Sequence, residues 1–330
     1  MSYKVPFVNF YKGYQMHMEE YDEAIRKCIE KGAFILQDEL EEFEENLAKF
    51  LGMKYAVGVG NGTDALFLAM KASGHRFEGT TTTTSYTFKA TMEAIHHQRW
   101  DTVVKYIDID PETRMPDERV DVAVHIEGMV CDKYKFPLIE DAAQAIGAKG
   151  VGYSGTACYS FYPAKILGGL GDGGAVVTDS KEVADKVRLL RHHWQTNENE
   201  EYGYNSRLDN IQAAFLNVKL KYLPEILKRR EEIAEKYKAL KTVGLPIYQE
   251  GRVWQDYVVT HPESKKFCDY LKDHGIQTLG QGMTPPHKAM GTMYEFPNTE
   301  KLYKEMFRLP CNETLTDEDI DFVIETVNAF

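Results

Sequence analysis

Apolar positions recur at helical spacing through the first fifty residues and then give way to short apolar runs. Met18, Tyr21, Ile25 and Ile29 predict helix within 15–51, with Gly32 as a stop. Leu40, Phe43, Leu47 and Phe50 form a second stripe ending at Gly52, with Glu41, Glu42, Glu44 and Glu45 on its solvated face. Residues 55–59 then read as a strand, Gly60-Asn61-Gly62-Thr63-Asp64 as a turn, and 65–72 as helix, the repeating unit of an α/β fold. Further strands are predicted at 80–84, 103–107, 122–126, 137–140, 157–161 and 174–178. Such a string of short apolar strands predicts a mainly parallel sheet covered on both faces.

Residues 181–194 and 207–241 read as long helices, the second rich in good helix formers. A strand at 253–260 and helices at 263–274 and 317–330 follow, the last behind the cap candidate Thr316. The expected organisation is a large unit, 1–230, and a smaller α+β unit, 231–330. One region departs from the pattern. The links 107–122 and 126–138 hold no helical stretch, although crossovers between parallel strands usually carry a helix. The sheet there is expected to be thinly covered, or covered by another subunit.

A chain of 330 residues, 43% hydrophobic and 27% charged, can build such a core without disulfides or structural metals. Its net charge of −12 argues against a nucleic-acid surface but leaves room for a local anion site. Cys28, Cys131, Cys158, Cys268 and Cys311 are scattered, as in a reducing compartment, and give no zinc signature. His96-His97 and His192-His193 are chain neighbours whose side chains diverge, so no metal is expected. Residues 1–10 have no secretory pattern, and no apolar run approaches the roughly 18 residues of a membrane span. The expectation is a cytoplasmic protein.

Four features carry chemistry. The turn Gly60–Asp64 opens a helix whose free N–H groups, with the Thr63 hydroxyl, can bind an anion. Leu138-Ile139-Glu140-Asp141-Ala142-Ala143-Gln144 puts acids at the carboxyl end of a strand, where open α/β sheets bind ligands. In Tyr159-Ser160-Phe161-Tyr162-Pro163-Ala164-Lys165 a lysine follows a strand-ending serine by five residues. The run Gly168-Gly169-Leu170-Gly171-Asp172-Gly173-Gly174 leads into a strand rather than a helix, so it is not a dinucleotide loop. Its glycines are read as conformational freedom around Lys165.

In this order the motifs resemble the DegT/DnrJ/EryC1/StrS family, nucleotide-sugar aminotransferases of the aspartate-aminotransferase type (fold type I) that use pyridoxal phosphate. The segments Gly58–Leu66, Tyr86-Thr87-Phe88-Lys89-Ala90-Thr91, Tyr204-Asn205-Ser206-Arg207-Leu208-Asp209 and Leu315-Thr316-Asp317-Glu318 extend the resemblance over nearly the whole chain. It implies an imine between Lys165 and the cofactor, Asp141 on the pyridine nitrogen and Gln144 near the ring oxygen. It implies Phe88 stacked on the ring, with Gly62, Thr63 and Ser160 on the phosphate. Asn205 would reach the phosphate of a neighbouring subunit, as in a homodimer with shared sites. His125, Tyr162 and His287 are candidates for the substrate side. The family's H-x-Y-G is here His125-Ile126-Glu127-Gly128, and helices that flank this strand in the family are deleted.

The implied reaction moves an amino group from L-glutamate to a nucleoside-diphosphate keto-sugar, at C3 or C4, with Lys165 moving the proton. Two alternatives stay open. The sugar-dehydratase branch of the same family carries His where this chain has Lys165. A degenerate nucleotide-sugar-binding scaffold would have no need to keep Lys165, Asp141, Ser160 and Asn205 together.

Overall fold

The computed structural model describes residues 3–74, 79–98, 102–132, 137–194 and 202–330. The N-terminal stripes fold as α1 (Phe10–Gln15), α2 (Met18–Lys31) and α3 (Asp38–Leu51). Gly32 and Gly52 end α2 and α3 at φ 65° and 69°, the left-handed region where a side chain is costly. Alternation follows, with β1 (Tyr55–Val59), α4 (Gly62–Ala72), β2 (Thr80–Thr84), α5 (Lys89–His96), β3 (Val103–Ile107) and β4 (Val122–Val124). After a 3₁₀ turn at Ile126–Gly128 come β5 (Ile139–Asp141), β6 (Thr156–Ser160) and β7 (Gly174–Thr178). Among the described residues these strands form one seven-stranded sheet in the order β1-β7-β6-β5-β4-β2-β3. Only β7 runs antiparallel to its neighbours, so the sheet is mainly parallel.

Strand alternation divides the core into two faces. Val57, Val59, Cys158 and Val176 point toward α4, α5 and α6 (Lys181–Leu190). Ala56, Ala157, Tyr159, Ala175 and Val177 point toward α3 and α7 (Asn210–Lys221). The helix expected over 207–241 is two helices, because Pro224 cannot continue the hydrogen-bond ladder past Tyr222, and α8 (Leu223–Tyr237) starts afresh. The helix expected over 181–194 ends at Leu190, since His193 and Trp194 take positive φ.

Beyond α8 lie β8 (Tyr257–Thr260), α9 (Ser264–Asp273), α10 (Pro286–Ala289), α11 (Pro297–Glu305), β9 (Met306–Leu309) and α12 (Asp317–Asn328). The Thr316 side chain caps α12 in a reciprocal box with Asp319. β8 and β9 pair antiparallel. They share a second core with α8, α9 and α12, which also takes in Val5, bonded through its backbone to Gly275 and Gln277. The strand expected at 253–260 starts only at Tyr257. Its first part bonds instead to the turn after β4, Val253 N–H donating to Gly128 O at 3.0 Å.

The helix-poor links are covered from within the chain. Val124, Ile126, Met129 and Ile109 pack against Val258 of β8, Met306 of β9, and Leu302 and Tyr303 of α11. The C-terminal segment thus covers the carboxyl end of this part of the sheet, while Val103 of β3 stays exposed. Residues 133–136 of the second link lie outside the described residues.

Candidate active site

The carboxyl ends of β5 and β6 and the start of α4 converge. Gly62, the first residue of α4, lies so close to Ser160 that an added Cβ would stand 2.7 Å from the serine Cβ. The free N–H groups of the Gly62-Thr63 turn and the Ser160 hydroxyl therefore share one small space. Asn61 caps the helix through Asp64 N–H (2.8 Å). Ser206 fixes the turn from behind: its hydroxyl accepts from Gly60 N–H (3.0 Å) and donates to the Asp64 carboxylate (2.6 Å).

The glycines near Lys165 act through close approach. None of Gly168, Gly169, Gly171, Gly173 and Gly174 has positive φ. A Cβ at Gly168 would collide with the Pro163 carbonyl oxygen, and one at Gly174 with the Asn61 carbonyl. The expectation of conformational freedom is corrected at two positions: Gly168 lies too close to the 162–165 turn, and Gly174 too close to the turn before α4, for a side chain.

Lys165 follows that turn, its N–H donating to Tyr162 O at 2.8 Å. Burial pushes its amine below the ordinary lysine value; Asp256 and Asp141 oppose this, and the positive Arg308 adds to it. Among the described residues no hydrogen bond or ion pair engages the amine. The backbone on either side is clasped by one side chain. Gln255 accepts from Ile166 N–H (3.0 Å) and donates to Ala164 O (3.1 Å).

Asp141 ends β5 and is buried. One carboxylate oxygen accepts from the Thr91 hydroxyl (2.7 Å), itself bonded to the Thr87 hydroxyl (2.7 Å), and the other from Ala143 N–H (3.1 Å). Phe88, between those threonines at the start of α5, leaves its ring 55% exposed. Gln144 is half-buried and its side-chain oxygen accepts from Glu127 N–H at 2.7 Å. Tyr162 is exposed beside the lysine turn.

Two substrate-side candidates are enclosed by the chain's own side chains. His125 is fully buried, bonded through Nε2 to Glu140 (2.8 Å) and accepting Cys131 N–H at Nδ1 (3.0 Å). Glu140, one residue before Asp141, faces away from the acid it precedes, because strand side chains alternate. Burial of Glu140 is outweighed by the His125 and Ser154 bonds, which hold its carboxyl below the usual range. His287 is likewise enclosed, packed against Phe296 and Tyr106 with Glu300 at 3.3 Å, so neither ring faces open space. Asn205 exposes its side chain, while the neighbouring Ser206 points inward.

Thr91, Gln255 and Glu127 were not singled out as site residues in the sequence. A faint signal exists for two of them: Gln255-Asp256 interrupt the apolar run 253–259, and Glu127 breaks an apolar strand end before Gly128.

An α/β sheet that holds a half-buried lysine, a carboxylate at the next strand's end and a helix-start anion cradle has the architecture of transferases of the aspartate-aminotransferase type. The chain belongs to the DegT/DnrJ/EryC1/StrS aminotransferase family, whose model matches residues 15–328. It is similar to the dTDP-3-amino-3,6-dideoxy-alpha-D-galactopyranose transaminase of Aneurinibacillus thermoaerophilus, at 34% identity over 99% of both chains. It is also similar to the dTDP-3-amino-3,4,6-trideoxy-alpha-D-glucose transaminase of Streptomyces venezuelae, at 31% identity over 99% of this chain and 96% of that one. The structure superposes on that of S. venezuelae DesV in complex with a ketimine intermediate with a TM-score of 0.91 and 29% identity, covering 100% of this chain and 98% of the other. The cofactor is pyridoxal phosphate, and the residues present fit it: a cradle at Gly62 and Ser160 with no room for a Cβ, a buried acid and a free amine.

Proposed function

We propose that this aminotransferase moves an amino group from L-glutamate to a keto-deoxysugar carried on a nucleoside diphosphate, at C3 or C4 of the sugar. The observation that carries the reading is the half-buried Lys165 amine, engaged by no described residue and held down in basicity by desolvation, with Asp141 fixed by Thr91. Relatives named for dTDP- and UDP-linked sugars support the substrate class.

Bound pyridoxal phosphate supplies an electron sink for the carbon that loses a proton. Lys165 Nζ takes the proton from the donor's Cα and hands it on, and its lowered basicity raises the uncharged share above that of an ordinary lysine. Asp141, an acceptor braced by two donors, would keep a proton on the ring nitrogen. Gly62, Thr63 and Ser160 would hold the phosphate, and Phe88 would cover the ring. Tyr162 stands at the sugar side.

A homodimer with shared sites fits the exposed apolar side chains Phe10, Tyr11, Met16, Ile29 and Phe34, too many for a face left to water. Asn205 would cross to the partner's phosphate. The division into units 1–230 and 231–330 and a cytoplasmic location belong to the same reading; among the described residues no helix is long and apolar enough to cross a membrane.

The test is a screen. Protein loaded with pyridoxal phosphate is given L-glutamate and then dTDP- and UDP-linked 3-keto and 4-keto sugars. The expected result is loss of the lysine-bound cofactor absorbance with glutamate, release of 2-oxoglutarate, and an amino sugar from one keto-sugar class. Absence of any spectral response to amino donors would sink the reading, as would a lysine-bound band that survives Lys165→Ala.

A further inference from the structure

Glu127 stands in the turn after β4 at φ 58°, ψ 7°, followed by Gly128 at φ 86°. A left-handed conformation is costly for a residue with a Cβ and persists only where the surroundings impose it. Gly128 cannot carry a Cβ at all, since one would collide with the Val253 carbonyl oxygen.

The side chain of Glu127 shows what imposes the turn. Its carboxylate is 1% exposed. It accepts two contacts from Arg114 Nη1 (2.8 and 3.0 Å) and one from the Tyr86 hydroxyl (2.6 Å). Burial, then the Glu127 charge, pushes the Tyr86 hydroxyl well above its ordinary value, so it stays a donor. Arg252 Nη2 donates to the Glu127 carbonyl at 2.8 Å. The residue is held at both its carboxylate and its backbone.

The held backbone has one output toward the site: Glu127 N–H donates to Gln144 Oε1 at 2.7 Å. That bond decides which end of the carboxamide is which. The acceptor is taken by the backbone, so Nε2, a pure donor, is the end left for a ligand. Gln144 lies three residues after Asp141, at the end of β5.

We infer that Glu127 is a positioning residue for amino transfer: the buried Arg114–Glu127–Tyr86 lock fixes a left-handed backbone whose N–H turns the donor end of Gln144 toward the cofactor's ring oxygen. The inference rests on the proposed place of Gln144 beside that oxygen. A donor there stabilises the ring oxygen as an anion, so the lysine-bound cofactor releases its proton at lower pH.

The experiment is a pH titration of the lysine-bound cofactor's absorbance. Gln144→Ala is expected to raise the midpoint by roughly one pH unit, about tenfold in proton affinity. Glu127→Ala is expected to raise it in the same direction, and to add nothing when Gln144→Ala is already present. Because Glu127→Ala strands the buried Arg114 cation, the paired protein Arg114→Met with Glu127→Met carries the same test with that cation removed, leaving Arg252, 4.0 Å from the lost carboxylate, its bond to the carbonyl of residue 127. A midpoint that responds to Gln144 but not to the Glu127 variants overturns the inference, as does an equal Glu127 effect with and without Gln144. A midpoint indifferent to Gln144 overturns the placement of Gln144 and the inference with it. Absence of the band in the unaltered protein overturns the amino-transfer reading instead.

Discussion

At the scale of the residue, Lys165 shows how little a side chain says alone. Its place five residues after Ser160 is in the sequence, but its lowered basicity comes from burial, balanced by Asp256 and Asp141 against Arg308, residues up to 143 positions away. The sign is testable. A lysine whose folded value lies below its ordinary one carries the neutral, reactive amine at lower pH than a surface lysine. In cofactor-free protein, acylation of Lys165 read by peptide mass spectrometry is expected to rise with pH and level off before the surface lysines do. The same shift makes the unfolded chain bind more protons between the two values, so stability relative to Lys165→Met rises with pH through that window. Acylation of Lys165 in step with the surface lysines would contradict its lowered basicity. His125 teaches the converse. Its position at a strand end was legible, yet only packing shows that both ring nitrogens are spent on Glu140 and Cys131.

At the scale of the element, most helices and strands were legible, because period and glycine stops are local. Residues 55–59, 80–84, 103–107 and 174–178 read as strands and are strands. The missed elements are short, such as β9, α10 and α11, where four to nine residues give too few turns of pattern. The glycine run was visible but its reason was not, since close approach involves a chain segment seen only in the fold. Gly168→Ala is expected to cost about 1–3 kcal/mol of stability, as overpacking does, and to weaken cofactor retention. Gln255→Ala leaves Ala164 O and Ile166 N–H without their partner, at about 1–3 kcal/mol each if water does not enter. Denaturant melts and the off-rate of the cofactor check both. A Gln255→Ala protein with unchanged cofactor off-rate would show that the clasp does not hold the lysine.

At the scale of the whole molecule, the helix-poor links 107–122 and 126–138 were legible as an anomaly but not in their consequence. The C-terminal segment packs directly on that end of the sheet and brings Gln255, Asp256 and Arg308 toward Lys165. Apolar side chains of α1 and α2, Phe10, Tyr11, Met18 and Ile29, are exposed. If two copies share their sites, Lys165→Ala and Asn205→Ala proteins, each nearly inactive, should recover roughly a quarter of full activity when mixed and reassembled, since half the dimers then hold one intact site of two. No recovery after verified subunit exchange would rule out shared sites. The order of motifs in the sequence determined the fold class and the family, because those depend on local period and on residue types at fixed spacing. Tertiary structure alone decided which histidines are buried, why the glycines are glycines, and that Glu127 governs Gln144, because these depend on contacts between segments that the chain keeps far apart until it folds.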